Sequence, residues 1–338
     1  MQAMRLYKGE AQGSAGTLRL EQAEGRAPAA GEIRVAIRAL SLNFRDNLVV
    51  RGFFPAPDGL IPLSDAAGEV IAVGEGVTMF QPGDRVISVF HPAWQDGHIE
   101  RTELAANPGG SVDGYACGEV TRPASHFTRA PANLSFLESA ALPCAAVTAW
   151  RAVVTDGAVR PGQSVLIQGT GGVSLFALQF AKAAGATVIA TSSSAEKLAR
   201  LRALGADHVL NHAEDAEWGK AALELTGGLG VDHVIEVAGP NALVQSFVAA
   251  RTGGHVALIG AAGGFQVDSM PFAVVQAKRL RLQGVTVGSR RDQVDMVRAI
   301  EANGIAPVID RSFPLASLAE ALGYLQSGNH FGKVCIEV

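Results

Sequence analysis

A glycine-rich turn between an apolar run and an apolar-periodic segment constrains the fold of this chain more than any other feature. The run Ser164–Gln168 is typical of a buried parallel strand, and it breaks at Gly169. From Val173 to Ala184 apolar residues recur at helical spacing, which predicts a helix. A strand, a glycine turn and a helix in this order form the opening of a dinucleotide-binding unit.

The residues of the turn have separate physical roles in such a unit. Gly169 permits the tight turn, and Gly171 leaves no side chain between the backbone and a pyrophosphate. The helix N-terminus offers unpaired N–H groups and the positive end of its dipole to the phosphates. Ser174 takes the place of the third glycine, and its small side chain keeps helix and strand close. We therefore predict cofactor contacts from Gly169, Thr170, Gly171 and Gly172.

The chain continues to alternate between strands and helices after this unit. A strand over Ala186–Ala190, a helix over Ala195–Leu204 and a strand over His208–Leu210 follow directly. Such alternation is what a parallel, doubly wound sheet requires. Further strands are predicted over Gly230–Val237, Gly253–Gly260 and Arg279–Gly288.

The end of the second strand favours NADP over NAD as the cofactor. NAD sites usually place an acidic residue there to bind the ribose 2′-hydroxyl. Here the chain reads Thr191-Ser192-Ser193-Ser194, with Lys197 just inside the next helix. Hydroxyl groups and an ammonium suit a 2′-phosphate, which a carboxylate would repel. We predict that Ser192, Ser193 and Lys197 bind NADP; the alternative is a serine-rich helix cap followed by a solvated lysine.

The first 127 residues carry a turn-rich, β-like pattern instead. Glu32–Ala39 alternates apolar and polar residues, as a half-buried strand does. Glu69–Val73 and Arg85–Val89 are similar, and glycine and proline turns separate them. The pattern predicts a compact β-barrel-like domain with one long surface excursion over Phe90–Val120.

Length, charge and cysteine content exclude several classes of protein. The 338 residues suffice for two domains, and a net charge of −4 gives no reason to expect nucleic acid or an anionic membrane as partner. No apolar stretch reaches membrane-spanning length, and the N-terminal residues lack the apolar core of a signal peptide. Cys117, Cys144 and Cys335 are too few and too dispersed for a disulfide framework. These observations predict a cytoplasmic protein.

Five short phrases, in this order and spacing, resemble those of the medium-chain dehydrogenases/reductases. They are Pro82–Val86, Ala140–Cys144, Gly169–Val173, Gly205–Asp207 and Gly332–Val334. The resemblance covers essentially the whole chain and is greatest to the zinc-free, quinone-reductase-like branch. It implies an α/β protein in which a GroES-like β-barrel catalytic domain spans residues 1–127 and 289–338. A Rossmann domain with a doubly wound parallel sheet, which binds NADP, would span residues 128–288.

The resemblance also locates the positions at which zinc-dependent members bind their catalytic metal. The three ligand positions fall on Asn43, Ser64 and Cys144, where those members have Cys, His or Glu, and Cys. A catalytic zinc needs about three protein ligands of the thiolate, imidazole or carboxylate type. One thiol with an amide and a hydroxyl does not provide them. The clustered cysteines of a structural zinc site are absent too, so we predict no metal.

The residues predicted to take part in catalysis follow from the same resemblance, which places Asn43 and Asp46 beside the nicotinamide. Without zinc, hydrogen-bond donors must stabilise the negative charge that hydride transfer creates on oxygen. Asn43 can donate through its amide, whereas Asp46, as an anion, would orient Asn43, Arg45 or a water. The alternative is that Asn43 and Asp46 merely cap the loop before Leu48.

Other cofactor contacts are implied by the resemblance alone. Thr148 and Val173 would flank the nicotinamide, and Gly260 would begin the loop beneath it. His212 stands where relatives often have a tyrosine near the 2′-phosphate, and Arg290 would meet the cofactor or a partner subunit. For these two and for His330, expected on the nicotinamide side, a solvated surface role is the alternative. The residues implied in this way are Thr148, Val173, His212, Gly260, Arg290, His330 and Lys333.

The expected function is NADPH-dependent reduction of a quinone, enone or aldehyde by direct hydride transfer, without zinc. Two alternatives stay open: an NAD(P)-dependent alcohol dehydrogenase and a non-catalytic NADP-binding redox sensor. Asn43 and Asp46 favour an enzyme, because a pure binding protein has no need of polar residues at the hydride face. The strand Arg279–Gly288 should lie at a sheet edge, where the resemblance implies pairing with a second copy in a homodimer.

Overall fold

The structure is a computed structural model that describes residues 1–9, 15–100, 106–260, 263–264, 266 and 270–338. The chain divides into two compact units. Unit 1 contains Met1–Val147 and Val287–Val338, and unit 2 contains Thr148–Thr286. Unit 2 is therefore an insertion in the sequence of unit 1.

The structure contains fifteen β-strands and ten α-helices among the described residues. In chain order the strands are β1 (Gln2–Tyr7), β2 (Thr17–Gln22), β3 (Glu32–Ser41), β4 (Asp65–Val73), β5 (Arg85–Ser88), β6 (Glu119–Pro123), β7 (Phe127–Arg129), β8 (Ser164–Gln168), β9 (Thr187–Ser192), β10 (His208–Asn211), β11 (Val231–Glu236), β12 (Ala250–Leu258), β13 (Arg281–Gly284), β14 (Ile309–Pro314) and β15 (Lys333–Glu337). The α-helices are α1 (Phe44–Val50), α2 (Phe136–Ala140), α3 (Val147–Trp150), α4 (Gly172–Ala183), α5 (Ala195–Ala203), α6 (Trp218–Leu225), α7 (Leu243–Ala249), α8 (Phe272–Ala277), α9 (Arg290–Asn303) and α10 (Leu318–Gln326).

Unit 1 is built on a sheet in which β3 is the central strand. β3 pairs antiparallel with β4, β6 and β15, and β15 pairs parallel with β14 on its other side. The alternation predicted for β3 is present, since Ile33, Val35 and Ile37 are buried in the core. The sheet order is β14-β15-β3-β4-β5-β7. A β-strand domain of this kind was predicted for the first part of the chain, and this prediction is confirmed.

The first boundary between the units falls later in the chain than the sequence suggested. The predicted boundary followed residue 127, whereas the compact unit continues to Val147. The reason lies in α2, which packs on β3 and β4 of unit 1. Ala132 also donates its backbone N–H to Glu301 Oε1 at 2.8 Å, which ties this stretch to α9. The second boundary, at Val287, lies within two residues of the predicted one.

Unit 2 has the predicted doubly wound parallel sheet. Its strand order is β10-β9-β8-β11-β12-β13, and every pair of neighbours is parallel. The order reverses between β8 and β11, which is the point where ligands bind in open sheets of this type. The strands are continuous apolar runs because helices cover both faces, and Leu166, Val234 and Val256 are fully buried.

The last strand of this sheet is shorter than the sequence suggested. The prediction placed a strand over Arg279–Gly288, whereas β13 spans only Arg281–Gly284. The backbone is left-handed at Arg279 (φ 52°) and at Val287 (φ 54°), and extended pairing cannot continue through such residues. Among the described residues β13 nevertheless lies at the edge of the sheet, as predicted.

Two departures from regular α-helix flank α3. The segments Leu142–Ala146 and Arg151–Thr155 are π-helical, a geometry with no reliable signal in sequence. Within the described ranges, none of the helices has the length and apolar character needed to cross a bilayer.

Candidate active site

The glycine turn of unit 2 has the geometry of a phosphate-binding turn. Gly169 follows β8 with φ 70°, and Gly171 is the N-cap of α4 with extended backbone. A Cβ added at Gly169 or Gly171 would meet no atom within 4 Å, so the turn faces open space. Gly172 and Val173 form the first turn of α4, whose amide groups have no intrahelical acceptor. The turn therefore fits the pyrophosphate of a dinucleotide.

Ser174 holds α4 against the strand that precedes it. Its Oγ donates a 2.7 Å hydrogen bond to the carbonyl oxygen of Gln168, the final residue of β8. The side chain is buried. Ser174 thus permits the close approach of helix and strand that a glycine gives in the usual pattern, and adds a hydrogen bond.

The residues predicted at the 2′-phosphate lie together at the end of β9. Ser192 ends this strand, Ser193 is exposed, and Ser194 is the N-cap of α5, with its Oγ accepting from Lys197 N at 3.3 Å. His212 is also exposed, and its backbone N–H donates to Ser192 O at 3.1 Å. The half-buried Lys197 lies in the first turn of α5.

Gly260 lies where two chain segments of unit 2 approach each other closely. A Cβ at this position would lie 1.8 Å from Val237 O, so only glycine fits. The neighbouring Glu236 accepts hydrogen bonds from the backbone of Ala238 and Gly239 through Oε1, at 3.1 and 2.9 Å. Burial raises the pKa of Glu236 to about 7, and these two hydrogen bonds act against that shift. Residues 261–262, 265 and 267–269 of the loop that Gly260 begins lie outside the described residues.

A buried polar cluster in unit 1 contains both residues predicted to take part in catalysis. We call it the polar centre, and it consists of Asn43, Asp46, Asp65, Cys144 and Lys333. The Lys333 ammonium donates to Leu42 O at 2.6 Å and to Asn43 Oδ1 at 2.7 Å. Its side chain is almost fully buried, with 4% of the residue exposed. The structure therefore joins Lys333 to Asn43, although the sequence places them far apart.

Asp46 stabilises the start of α1, the role that the sequence left as an alternative. Its Oδ2 accepts a 2.7 Å hydrogen bond from the backbone N–H of Asn43, the N-cap residue. Its Oδ1 lies 3.5 Å from a guanidinium nitrogen of Arg45. Burial raises the pKa of Asp46 to about 6, and Arg45 acts against this shift. Asp46 thus orients Asn43 through the backbone.

Asp65 is a member of the polar centre that the sequence did not identify. Its Oδ1 accepts from Ser64 Oγ at 2.7 Å, and its Oδ2 accepts from the backbone N–H of Cys144 at 3.1 Å. The carboxyl is fully buried, which raises its pKa, and the Lys333 ammonium opposes this effect. The only sequence signal was that Asp65 directly follows Ser64, the position at which zinc-dependent relatives have their second metal ligand.

The side chains at the three zinc-ligand positions, Asn43, Ser64 and Cys144, are not suited to bind zinc. The hydroxyl of Ser64 is already donating to Asp65, and the amide oxygen of Asn43 is bound to an ammonium that would repel a dication. Cys144 is then the one side chain at the three positions of a type that zinc commonly binds. Among the described residues no group of three or more His, Cys, Asp or Glu side chains is arranged to hold a metal ion.

Two predicted cofactor contacts have protein partners within unit 1. The guanidinium of Arg290 donates from Nε and Nη2 to Phe127 O at 3.2 and 3.1 Å. The Lys333 ammonium is bound as described above. These contacts count against direct binding of the cofactor by either side chain. His330 is half-buried on the segment before β15, and Thr148 is buried in α3 of unit 2.

His91 is a further buried residue of unit 1, which the sequence offered only as half of a His91 and His98 pair without the further ligands of a metal site. It is buried with 3% exposure, and neither ring nitrogen has a hydrogen-bond partner among the described residues. The ring packs edge-on against Phe90, over which the Arg45 guanidinium also lies. Burial lowers the pKa of His91 to about 4, so the imidazole is neutral at pH 7. It brings an uncharged donor and acceptor to the surroundings of Arg45.

Comparison with known proteins identifies the family. Residues 29–132 match the alcohol dehydrogenase GroES-like domain, and residues 172–302 match the zinc-binding dehydrogenase domain. A zinc-type alcohol dehydrogenase-like protein of Schizosaccharomyces pombe, C1773.06c, is 42% identical over 315 residues, which cover 91% of each chain. The chain belongs to the medium-chain dehydrogenase/reductase superfamily.

Solved structures of medium-chain enzymes agree with both units. A putative alcohol dehydrogenase from Sinorhizobium meliloti 1021 superposes with a TM-score of 0.93 at 42% identity, covering 100% of this chain and 99% of that one. A quinone oxidoreductase from Pseudomonas syringae pv. Tomato DC3000 superposes with a TM-score of 0.83 at 26% identity, covering 100% of each chain. The chain is therefore a medium-chain oxidoreductase of an NAD(P)-dependent family.

Proposed function

We propose that this medium-chain enzyme reduces a quinone, an enone or an aldehyde with NADPH and without zinc. The observation that carries the proposal is the polar centre, in which Lys333 is bound to Asn43 where zinc-dependent relatives bind a metal. When bound, NADPH supplies a hydride. The substrate oxygen then gains negative charge, and the buried amide of Asn43 is the donor placed to stabilise it.

The proposed cofactor is NADPH, bound by the glycine turn and by the end of β9. In this proposal Gly169–Val173 supply backbone amides to the pyrophosphate, and Ser192, Ser193 and Lys197 supply hydroxyls and an ammonium to the 2′-phosphate. Ser193 is exposed, whereas Ser192 is buried and its Oγ accepts from Ser194 N at 3.3 Å, which leaves its hydroxyl proton for the phosphate. No acidic residue stands between Thr191 and Ala195, where a ribose-binding carboxylate would favour NAD.

An alcohol dehydrogenase is the second candidate, since the S. pombe relative is named alcohol dehydrogenase-like and a relative from Geobacillus stearothermophilus, 31% identical over 323 residues, is named alcohol dehydrogenase. The two candidates differ in direction and substrate and use the same groups of this chain. A non-catalytic redox sensor is the least supported, because it needs no unpartnered amide donor in a buried polar cluster.

Spectrophotometry of NADPH at its absorbance maximum tests the proposal. The purified protein is incubated with benzoquinone, cyclohexenone or benzaldehyde, and in the opposite direction with NADP and benzyl alcohol. We expect the fastest reaction with one of the first three, and equal rates before and after dialysis against a chelator. Faster alcohol oxidation would favour the second candidate. Loss of activity with stoichiometric loss of zinc would contradict a zinc-free reaction.

The first prediction concerns the choice of cofactor. Lys197→Ala should weaken NADPH binding by about 1–2 kcal/mol, because one charge-assisted contact to the 2′-phosphate is lost. NADH binding should stay nearly unchanged, and fluorescence titration of both nucleotides measures the difference. Lys220→Ala, at an exposed lysine of α6, is the matched control and should change neither affinity. An equal loss for both nucleotides would make Lys197 a structural helix residue.

The proposed assembly is a homodimer joined through the edge strand β13 and its flanks, residues 279–288. Arg281, Gln283 and Gly284 are exposed on this strand, and Leu280 and Leu282 pack against the core of unit 2. An edge strand with free backbone groups readily pairs with another chain. Two copies of β13 related by a two-fold axis would join the two parallel sheets.

The second prediction tests this assembly. Leu282→Pro removes a backbone N–H from β13 and should give a monomer or an aggregate in place of a dimer. Size-exclusion chromatography with light scattering at micromolar concentration measures the mass. The control is Leu229→Ala, a change at an exposed leucine of unit 2 outside β13, which should leave the mass unchanged. A dimer that persists in Leu282→Pro would contradict the assignment.

We further propose the cytoplasm as the compartment. Cys117, Cys144 and Cys335 are all free thiols, and Cys117 and Cys335 are buried. An enzyme that oxidises NADPH needs the reduced nucleotide, which the same compartment supplies. The partners we propose are this nucleotide, a small-molecule substrate and a second copy of the chain.

A further inference from the structure

The contacts of Lys333 determine which end of the Asn43 amide it can bind. An ammonium has three N–H donors and no acceptor, so only an oxygen of Asn43 can face it. The Nζ–Oδ1 distance is 2.7 Å, and the second acceptor of the ammonium is Leu42 O. Both acceptors come from the junction of β3 and α1, whereas Lys333 opens β15. The orientation of the amide is thereby fixed by chemistry.

Once the oxygen is bound, the nitrogen of the amide is the free end. Asn43 Nδ2 is buried, and no acceptor among the described residues meets it at full hydrogen-bond geometry. A hydrogen bond from the Asn43 amide lowers the pKa of Asp65, so one of its two N–H groups is directed at that carboxyl. Both oxygens of Asp65 are already accepting, from Ser64 Oγ and Cys144 N. An amide NH₂ has two N–H groups, so the one that is not directed at Asp65 keeps donor capacity that no described protein group uses.

A buried donor without a partner is costly, and a ligand atom that accepts from it removes that cost. Leaving such a group unpaired costs about 1–3 kcal/mol. Rotating the Asn43 amide by 180° would satisfy nothing, since it would set an NH₂ group against the Lys333 ammonium. The buried ammonium also offsets the charges of Asp46 and Asp65, whose pKa values burial raises. The polar centre therefore stays intact without a metal ion.

We propose that Lys333 is a positioning residue: its ammonium holds Asn43 Oδ1 so that the amide nitrogen is presented to the substrate oxygen. The inference rests on the proposed function, in which Asn43 donates to that oxygen. Lys333 itself does not touch the substrate, since its side chain is buried on protein oxygens. The Lys333 ammonium thus fixes the orientation of the Asn43 amide without a metal ion.

A double-mutant cycle tests whether Lys333 acts through Asn43. The variants are Asn43→Ala, Lys333→Met and their combination, assayed with NADPH and whichever of the three probe substrates wild type reduces fastest. Removing one donor to a developing oxyanion costs about 100-fold in kcat, so we expect a loss on this order for Asn43→Ala. Lys333→Met should lower kcat by about 10–100-fold in the wild-type background. In the Asn43→Ala background it should lower kcat by less than about 3-fold.

Asn43→Asp keeps the proposal testable if Lys333→Met does not fold. Aspartate has the same shape and still accepts from Lys333. Assayed at pH 8, above the pKa of about 6 of the neighbouring Asp46, it is ionised and has no proton to donate, so it should lose as much kcat as Asn43→Ala. Lys333→Arg, which keeps the charge and the donors, should recover part of the rate. Equal losses from Lys333→Met in both backgrounds, or full kcat in Asn43→Asp, would overturn the proposal.

Two readouts separate this inference from the proposed function. The dissociation constant of NADPH should change by less than about 2-fold in every variant, because the glycine turn is untouched. Urea unfolding is measured for wild type, Asn43→Ala, Lys333→Met and the double variant. The losses in unfolding free energy of the two single variants should not add up to that of the double variant, since Lys333 and Asn43 are in direct contact. No reduction of any probe by wild type would contradict the proposed function. Turnover by wild type with additive losses would contradict this inference alone.

Discussion

Gly171→Ala should lower the affinity for NADPH on the order of 100-fold, or about 2.7 kcal/mol. The added Cβ would stand between the backbone amides and the pyrophosphate. The fold should tolerate it, since a Cβ at Gly171 meets no protein atom within 4 Å and the backbone there has negative φ. The free energy of unfolding should fall by no more than about 1 kcal/mol, the difference between glycine and alanine at an N-cap.

A second glycine supplies the matched control for this experiment. Gly323 lies in α10 of unit 1 and also has open space at its Cβ position. Gly323→Ala should leave the affinity for NADPH unchanged and stabilise the chain by about 0.5–1 kcal/mol, because alanine favours a helix. Fluorescence titration and urea unfolding of both variants measure the two effects. Unchanged affinity in Gly171→Ala would mean that the phosphates bind elsewhere.

Acidification should destabilise the protein through a pair of buried histidines in unit 2. His233 and His255 face each other on β11 and β12, with their Nδ1 atoms 3.4 Å apart. His233 Nε2 lies 3.1 Å from Gln163 Oε1, which already accepts from Arg160 N. Nε2 of His233 therefore carries its proton, and His255 donates from Nδ1 to His233 Nδ1. The pair is neutral, and burial lowers the pKa of both to about 4.

The sign of the effect follows from the two states. Unfolded histidine has a pKa of about 6.5, so between about pH 6.5 and 4 the unfolded chain takes up protons that the folded pair does not. The contribution of the neutral pair to the free energy of unfolding is therefore fully present above about pH 6.5. As the pH falls below that value, the free energy of unfolding decreases by up to about 1.4 kcal/mol per pH unit for each histidine. Asp46 and Glu236 reduce this fall, because their raised pKa values let the folded state take up protons in the same range.

Urea unfolding at pH 7.5 and 5.0 measures this dependence. In His233→Leu/His255→Leu the difference between the two midpoints should be clearly smaller than in wild type. His212→Leu, at an exposed histidine of the same unit, should leave the difference unchanged. The same pH dependence in wild type and in the double variant would show that other groups control acid stability.

The sequence predicts those parts of the fold that depend on local patterns. The glycine turn at Gly169–Gly172, the parallel strands around it and the Ser194 cap of α5 can all be recognised within a few residues. The edge position of β13 follows from its being the last strand of the insertion. The length of β13 does not, because left-handed backbone at Arg279 and Val287 has no signal in an apolar alternation.

The polar centre shows where such prediction ends. The resemblance selected Asn43, Asp46 and Lys333 separately and gave Lys333 to the cofactor. Only the pairing of β15 with β3 brings its ammonium to Asn43. Asp65 went unselected because single polar residues after apolar runs are common, and His91 was set aside because the sequence gives it and His98 no further ligand for a metal. The contact between His233 and His255 likewise depends on the register of two strands.

The insertion of unit 2 also sets an order of events during synthesis. Asn43 and Lys333 are 290 residues apart in the chain, and the whole of unit 2 lies between them. Domains generally fold as units while the ribosome still elongates the chain, so the nucleotide-binding sheet can form before β15 exists. Until then β3 and β14 flank a missing strand, with backbone groups open to chaperones or to misassembly. The nucleotide-binding sheet can therefore be complete early in synthesis, whereas the contact between Lys333 and Asn43 can form only after Lys333 has left the ribosome.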